Sequence, residues 1–239
     1  MRIKLVLFIT DFLEKYFYTP KLLVSLQKAV DSSSRKKKNK KSLVIFDVGA
    51  NTGQSINFFM KNFIYESIIA FEPDPKVFSE LKKFSEKKGV FLNNFALGEK
   101  NGRVSFYTSP LTVTSSLLLP NQDSSWYRIK NRILGLSKKN SYREIEVEIR
   151  TLDSFVKSNS IIEIDILKID VEGAELQVLN GATESLLSKK IRIIQVEVHY
   201  DDQRTNIYEE IDKLLKKYNY VKFEEIKHSF GNFSDIIYV

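Results

Sequence analysis

Residues 42–55 read SLVIFDVGANTGQS. An unbroken apolar run through Phe46 leads to Asp47, and a short turn carrying Gly49 and Gly53 follows. A continuous apolar run of this length is the pattern of a strand buried on both faces, as in a parallel sheet. Beyond the turn, Ile56, Phe59, Met60 and Phe63 recur at the i, i+3, i+4, i+7 spacing of one helix face. An open parallel sheet binds its ligand where such a strand hands over to a helix. Glycine at both ends of the turn permits positive φ and a close backbone approach, so the sequence predicts a nucleoside site here.

Three kinds of nucleotide turn compete at this point. A phosphate loop requires Gly-Lys-Ser/Thr, whereas the chain has Gly53-Gln54-Ser55. A dinucleotide turn requires G-x-G-x-x-G, but Asn51 stands where the second glycine belongs. What remains is an acid at the strand end (Asp47), Gly-x-x-x-Gly, and a second acid, Glu72, nineteen residues after Gly53. A carboxylate placed there accepts both ribose hydroxyls, which describes a nucleoside with a free diol and no diphosphate. S-adenosylmethionine fits that description.

Outward from this turn, strands alternate with helices. The segment SIIAF (67–71) reads as a second strand, DPKVFSELKKF as a helix with Asp74 as N-cap and Pro75 at its first position, and VFLNNFAL (90–97) as a third strand. This rhythm predicts an α/β fold with a parallel sheet. Between residues 98 and 155 it gives way to shorter β patterns: GRVSFYT and REIEVEIRTL alternate with period two and read as antiparallel or edge strands of an insertion. Then IDILKID and IRIIQVEV read as buried strands, separated by a helix broken near Gly181. A last helix and two strands, YVKFEEI and FSDIIYV, are expected to pair as an antiparallel edge.

The chain of 239 residues has no cysteine and only two histidines, which excludes disulfides, thiolate metal sites and an all-histidine metal site. Its formal charge of +7 is concentrated: six Lys and Arg lie within RKKKNKK (35–41). The remainder is nearly neutral and offers no track for nucleic acid. That basic run reads as a solvated linker, with attraction to anionic lipid as the sharper alternative. Before it, the apolar positions 5, 8, 9, 12, 13, 16 and 17 mark an amphipathic helix, since Lys4 and Asp11 leave far fewer than the roughly 20 apolar residues of a membrane span. The expected division is residues 1–42, helix and basic linker, and residues 43–239, one catalytic domain. A cytoplasmic location is the default, with peripheral membrane contact through residues 1–42 as a variant.

The motifs FDVGANTG, FEPDP, NNFALGEKNG, TLDSF and LKIDVEGAELQVLNGA together resemble the FkbM-type family of S-adenosylmethionine-dependent methyltransferases, over about residues 43 to 200. The resemblance implies a class I methyltransferase (Rossmann-like) fold: a mostly parallel seven-stranded sheet with one antiparallel strand and helices on both faces. It further implies O-methylation of a hydroxyl on a small acceptor, often a sugar or glycoconjugate. On that reading Asp47, Gly49, Asn51, Thr52 and Gly53 hold the methionine end of the cofactor, Glu72 the ribose, and Asn94 and Ala96 lie near the adenine. The same sheet could serve a dinucleotide enzyme, and a non-catalytic membrane-associated module is a third class.

Asp170, Glu172 and Glu175 follow the strand ILKI, at the edge where a bound methyl group would point. Asp170 and Glu172 are candidate catalytic acids, while Glu175 reads as helical surface. His199 ends the strand IIQVEV at the same edge and is the candidate general base; His228 reads as a surface residue near a turn. Two acids at i, i+2 need not converge on one ion, so the expected mechanism uses no metal. Acceptor specificity is expected in residues 108–142, with Ser115, Ser116, Trp126, Tyr127 and Arg128 as contacts.

Overall fold

The computed structural model describes residues 18–34, 42–108, 117, 143–200, 206–228 and 232–239. The amphipathic pattern of residues 5–17, the basic run and the five specificity candidates of 115–128 lie outside these.

Helix α1 (Thr19–Ser34) leads to β1 (Leu43–Val48), α2 (Gln54–Asn62), β2 (Tyr65–Phe71), α3 (Pro75–Leu81), a single 3₁₀ turn and β3 (Val90–Asn93). Asp74 caps α3 as expected, accepting from the backbone N–H of Lys76 and Val77, with Pro75 at its first position. The third strand is shorter than its apolar run. Asn94 turns back to donate to the carbonyls of Glu72 and Pro73, and the chain continues as β4 (Ala96–Leu97) in a different sheet. There β4 joins β6 (Arg143–Arg150), which pairs antiparallel with β5 (Gly102–Thr108). Next come α4 (Leu152–Ser158), β7 (Ile164–Ile169), α5 (Glu175–Asn180), α6 (Thr183–Leu187), β8 (Ile191–His199), α7 (Ile207–Lys217), β9 (Lys222–Lys227) and β10 (Phe233–Tyr238). The break between α5 and α6 falls at Gly181, as the sequence predicts. A Cβ there would lie 1.9 Å from the Gly98 carbonyl oxygen.

The main sheet has seven strands in the order β3-β2-β1-β7-β8-β10-β9. Strands β3, β2, β1, β7 and β8 are mutually parallel, and β10 runs antiparallel to both β8 and β9. One antiparallel strand in a seven-stranded sheet is the expected class I methyltransferase architecture. The last two strands do pair, but β10 is no edge: it lies between β8 and β9. Its composition explains the place, because FSDIIY is buried almost throughout whereas KFEEIK is half exposed.

Alternation along the strands sorts the core onto two faces. Phe46, Val48, Leu167, Ile169, Ile194 and Val196 pack with α4, α5, α6 and α7. Ile45, Ile166, Ile193 and Ile237 pack on the other face with Leu22, Leu26 and Ala29 of α1 and Ile56 and Phe59 of α2. Met60 and Phe63, on the expected helix face, only flank that cluster. Helix α1 is thereby part of the folded core.

Candidate active site

On the α1 face, the central strands change character toward their carboxyl ends. The isoleucine row Ile45, Ile166, Ile193 is followed two residues on by Asp47, Lys168 and Gln195, which are register partners across β1, β7 and β8. One step further out, Glu197 pairs with Asp235, and beyond them His199 pairs with Phe233. A period of two thus turns three apolar strands polar at one level, and β10 brings Asp235 in from the opposite direction.

Lys168 is the hub of the inner row. Its Nζ lies 3.1 Å from Asp47 Oδ1, 3.1 Å from Asp170 Oδ2 and 3.2 Å from the Gly49 carbonyl oxygen. Burial alone would lower the ammonium's pKa, but the Asp170 and Asp47 carboxylates outweigh it and hold Lys168 above its ordinary value. Asp47, wholly buried, also accepts from Ser55 Oγ at 2.6 Å. This ties β1 to the first turn of α2.

The two glycines serve a tighter purpose than admitting a ligand. Gly49 has φ +82, and a Cβ on it would stand 1.8 Å from the carbonyl oxygen of Asp170. Gly53 has φ +93, with the Phe84 ring 2.3 Å from its would-be Cβ. The absent side chains let the turn after β1 press against the turn after β7 and against the 3₁₀ segment. Asp47, Gly49 and Asp170 are brought together in this way.

Glu72 forms a second centre with Asn51 and Asn94. Its Oε2 accepts from the Asn51 N–H at 3.0 Å and its Oε1 from the Asp74 N–H at 2.9 Å, while Asn94 Nδ2 holds the Glu72 carbonyl at 2.8 Å. Asn51 adopts φ +47 to present that N–H. Burial pushes the Glu72 carboxyl up to about 7, although both backbone hydrogen bonds pull the other way. Each oxygen keeps an unused lone pair, so the group is fixed in position and able to accept a diol. Thr52 donates to its neighbour Gln54 at the surface, and Ala96 is buried against Phe106, Val147 and Ile149 in the small sheet.

At the outer row, His199 Nε2 lies 2.8 Å from Glu197 Oε1 and its ring stacks on Phe233. Burial, followed by the charges of Asp170, Asp235 and Glu172, pushes Glu197 well above the usual carboxylate range. Glu172, at φ +56 in the turn after β7, belongs to this acidic surround. Two sequence expectations are corrected here. Glu175 is 2% exposed and folds back to accept from the N–H groups of Val171 and Gly173 in the turn that it follows. His228 is no surface residue either: its side chain is 8% exposed, its Nε2 contacts Asp235 Oδ2 at 2.9 Å and its ring stacks on Tyr18 at 3.7 Å. Asp235 also accepts from Gln195 and from the Tyr18 hydroxyl. These hydrogen bonds, led by His228, overcome burial and hold Asp235 below its ordinary value.

Sequence reasoning missed Lys168, Gln195, Glu197 and Asp235. A signal was available: a charged or amide side chain inside an otherwise apolar buried strand requires a partner. The glycine turn drew attention to β1, and the acid at its end, Glu72, to β2.

The arrangement has parallels among known proteins. The family model described as the methyltransferase FkbM domain matches residues 47–222. Hexuronic acid methyltransferase AglP of Haloferax volcanii is 25% identical over 73% of this chain and 62% of its own length. The 2-O-methyltransferase NoeI of Sinorhizobium fredii is 29% identical over 67% of this chain and 64% of its own. The matches thus span a little under two thirds of these relatives. A crystal structure of methyltransferase FkbM from Methylobacillus flagellatus superposes with a TM-score of 0.56 at 16% identity, covering 86% of this chain and 47% of that one. With the glycine turn and the VEGAE turn both inside the matched span, which covers most of the chain, the chain belongs to the FkbM methyltransferase family.

Proposed function

We propose that the protein transfers a methyl group from S-adenosylmethionine to a hydroxyl of a small acceptor, a sugar or glycoconjugate. The observation that carries this reading is Glu72, buried, fixed by two backbone N–H groups and beside the turn of Asn51. Such a carboxylate suits a ribose diol. At the carboxyl ends of the central strands, Asp47, Asp170, Glu172 and Glu197 give an acidic surround suited to a sulfonium cation, with Lys168 as the balancing charge. The cofactor supplies an activated methyl group; the chain positions it and receives the acceptor's proton. His199, half-buried in the outer row, is the proposed proton acceptor, imidazole being a common general base. The names of the two relatives, a hexuronic acid methyltransferase and a 2-O-methyltransferase, support a sugar-like acceptor.

Calorimetry of the full chain should show micromolar S-adenosylmethionine binding and none of NAD. Glu72→Ala should weaken that binding by about 1–3 kcal/mol. Equal affinity in the variant, or NAD binding as tight, would overturn the site assignment. Incubation with methyl-labelled cofactor and a panel of uronic acids and glycoconjugates then identifies the acceptor by label transfer.

Glu72 also makes cofactor binding proton-linked. A group raised to about 7 is roughly half protonated at neutral pH in the free protein, and a diol donating to it requires the ionised form. Binding should therefore release about half a proton at pH 7 and almost none at pH 8.5, with affinity falling as pH drops below 7. For folding the sign is opposite: native Glu72 binds its proton more tightly than the unfolded chain does, so its contribution to stability declines from about pH 4.5 up through 7. Calorimetric titrations in buffers of different ionisation heat measure the released proton, and none at pH 7 would contradict a Glu72–diol contact.

No helix among the described residues is long and apolar enough to cross a membrane. We read the basic run 35–41 as a linker. Replacing its six Lys and Arg by Ser and Gln should leave cofactor affinity unchanged and alter sedimentation with anionic vesicles by little. Strong, salt-sensitive vesicle binding lost in that variant would establish peripheral attachment instead.

A further inference from the structure

The outer row holds a constellation of three side chains, of which the cofactor and proton-transfer roles draw on Glu197 alone. Glu197, His228 and Asp235 come from three segments, β8, the residue after β9, and β10, yet one ligand atom of each lies within 4.8 Å of the other two. His228 Nε2 is 2.9 Å from Asp235 Oδ2 and 3.9 Å from Glu197 Oε2. With metal–ligand bonds of about 2.1 Å, neighbouring donors stand about 3.0 Å apart at right angles and about 3.4 Å apart in a tetrahedron. The observed separations bracket those values, so a small rotation of the Glu197 side chain closes the set. The backbone beneath is rigid: Glu197 and Asp235 are register partners, and the His228 N–H donates to the Phe233 carbonyl.

A second observation points the same way. Gln195 is 4% exposed and donates from Nε2 to Asp235 Oδ1, while its Oε1 is buried with no hydrogen-bond partner. A buried amide oxygen left without a donor, on the side chain that bonds the Asp235 carboxylate, is unfavourable alone and favourable toward a cation.

We propose that Glu197, His228 and Asp235 bind one divalent first-row metal ion. Two carboxylates select a divalent cation, and the imidazole favours Mn²⁺ or Zn²⁺ over Mg²⁺ or Ca²⁺. The ion takes the place of the proton between His228 Nε2 and Asp235 Oδ2. Three protein ligands leave coordination positions open. If the methyl-transfer reading holds, vicinal hydroxyls of an acceptor that reaches these positions can chelate the ion and lose a proton more readily. That role rests on the proposed function, whereas the binding itself does not.

The test uses the untagged, full-length chain after treatment with chelator, titrated with Mn²⁺ and separately with Zn²⁺, with no cofactor or acceptor present. Calorimetry, and electron paramagnetic resonance for Mn²⁺, should report one ion per chain at micromolar affinity for at least one of the two. Asp235→Asn and Glu197→Gln should each weaken that binding by at least about 100-fold, one ligand being lost in either case. Circular dichroism establishes that each variant is folded. Should Asp235→Asn fail to fold, the more exposed Glu197→Gln together with His228→Gln decides the matter. Absence of saturable binding by both ions up to millimolar concentration overturns the proposal, and so does wild-type affinity in the folded variants. Because nothing in the titration depends on methyl transfer, failure of the proposed reaction and failure of this site are separately visible.

Discussion

Replacing Lys168 by Met is expected to lower the free energy of unfolding by about 3–5 kcal/mol, the range for removing one partner of a buried ionic set. Methionine fills much the same volume, so little of that loss is cavity. The cost is electrostatic: Asp47, wholly buried, loses the ammonium 3.1 Å away and retains Ser55 as its donor, while Asp170 loses its counter-charge at the rim. The Gly49 carbonyl is left without its Nζ donor as well. Denaturant unfolding measures the change. Adding Asp47→Asn to Lys168→Met should restore a substantial part of it, since the stranded charge is removed with its partner. A loss below about 1 kcal/mol, or no recovery in the double variant, would show that Lys168 is not the counter-ion of this sheet.

His199→Ala is expected to reduce kcat by about 10²–10⁴-fold, the usual contribution of a positioned base, with cofactor affinity nearly unchanged. Stability should shift little, because the ring is partly exposed and its contacts are Glu197 and one face of Phe233. Removal of a purely structural ring would instead lower the melting temperature and leave the pH dependence of kcat as it was. Loss of the imidazole-dependent limb of that profile, with an unaltered cofactor titration, identifies His199 as the proton acceptor. A kcat within a few-fold of wild type would move the chemistry to the acidic residues around Glu197.

Much of the fold was legible because parallel strands buried on both faces leave unbroken apolar runs, and helices between them leave a 3.6-residue period. The Asp74 cap, the Gly181 break and the strand character of GRVSFYT and REIEVEIR could each be read from a few residues. Strand order could not. Nothing in the periodicity of FSDIIYV places it between β8 and β9; only its lack of exposed polar positions hints at an interior strand. The site divides in the same way. Residues in turns, such as Gly49, Asn51 and Glu72, are conspicuous in sequence, whereas Lys168, Glu197 and Asp235 gain meaning only from register partners on other strands. Glu175 and His228 were misread because burial of a polar side chain is decided by the backbone donors and rings that happen to surround it.

The pairing of β1 with β7 has a consequence for how the chain reaches this state. The Lys168 ammonium and the Gly49 carbonyl it binds are 119 positions apart, and the strands that carry them are direct neighbours at the middle of the sheet. During synthesis β1, β2 and β3 can assemble early, but β1 then presents an open hydrogen-bonding edge until β7 leaves the ribosome. A contact of such long range is slow to form, and an unpaired apolar edge invites other chains. Refolding from denaturant should therefore be limited by docking of the second half onto the first, and nascent chains that stop short of β7 should be the ones that depend on chaperones.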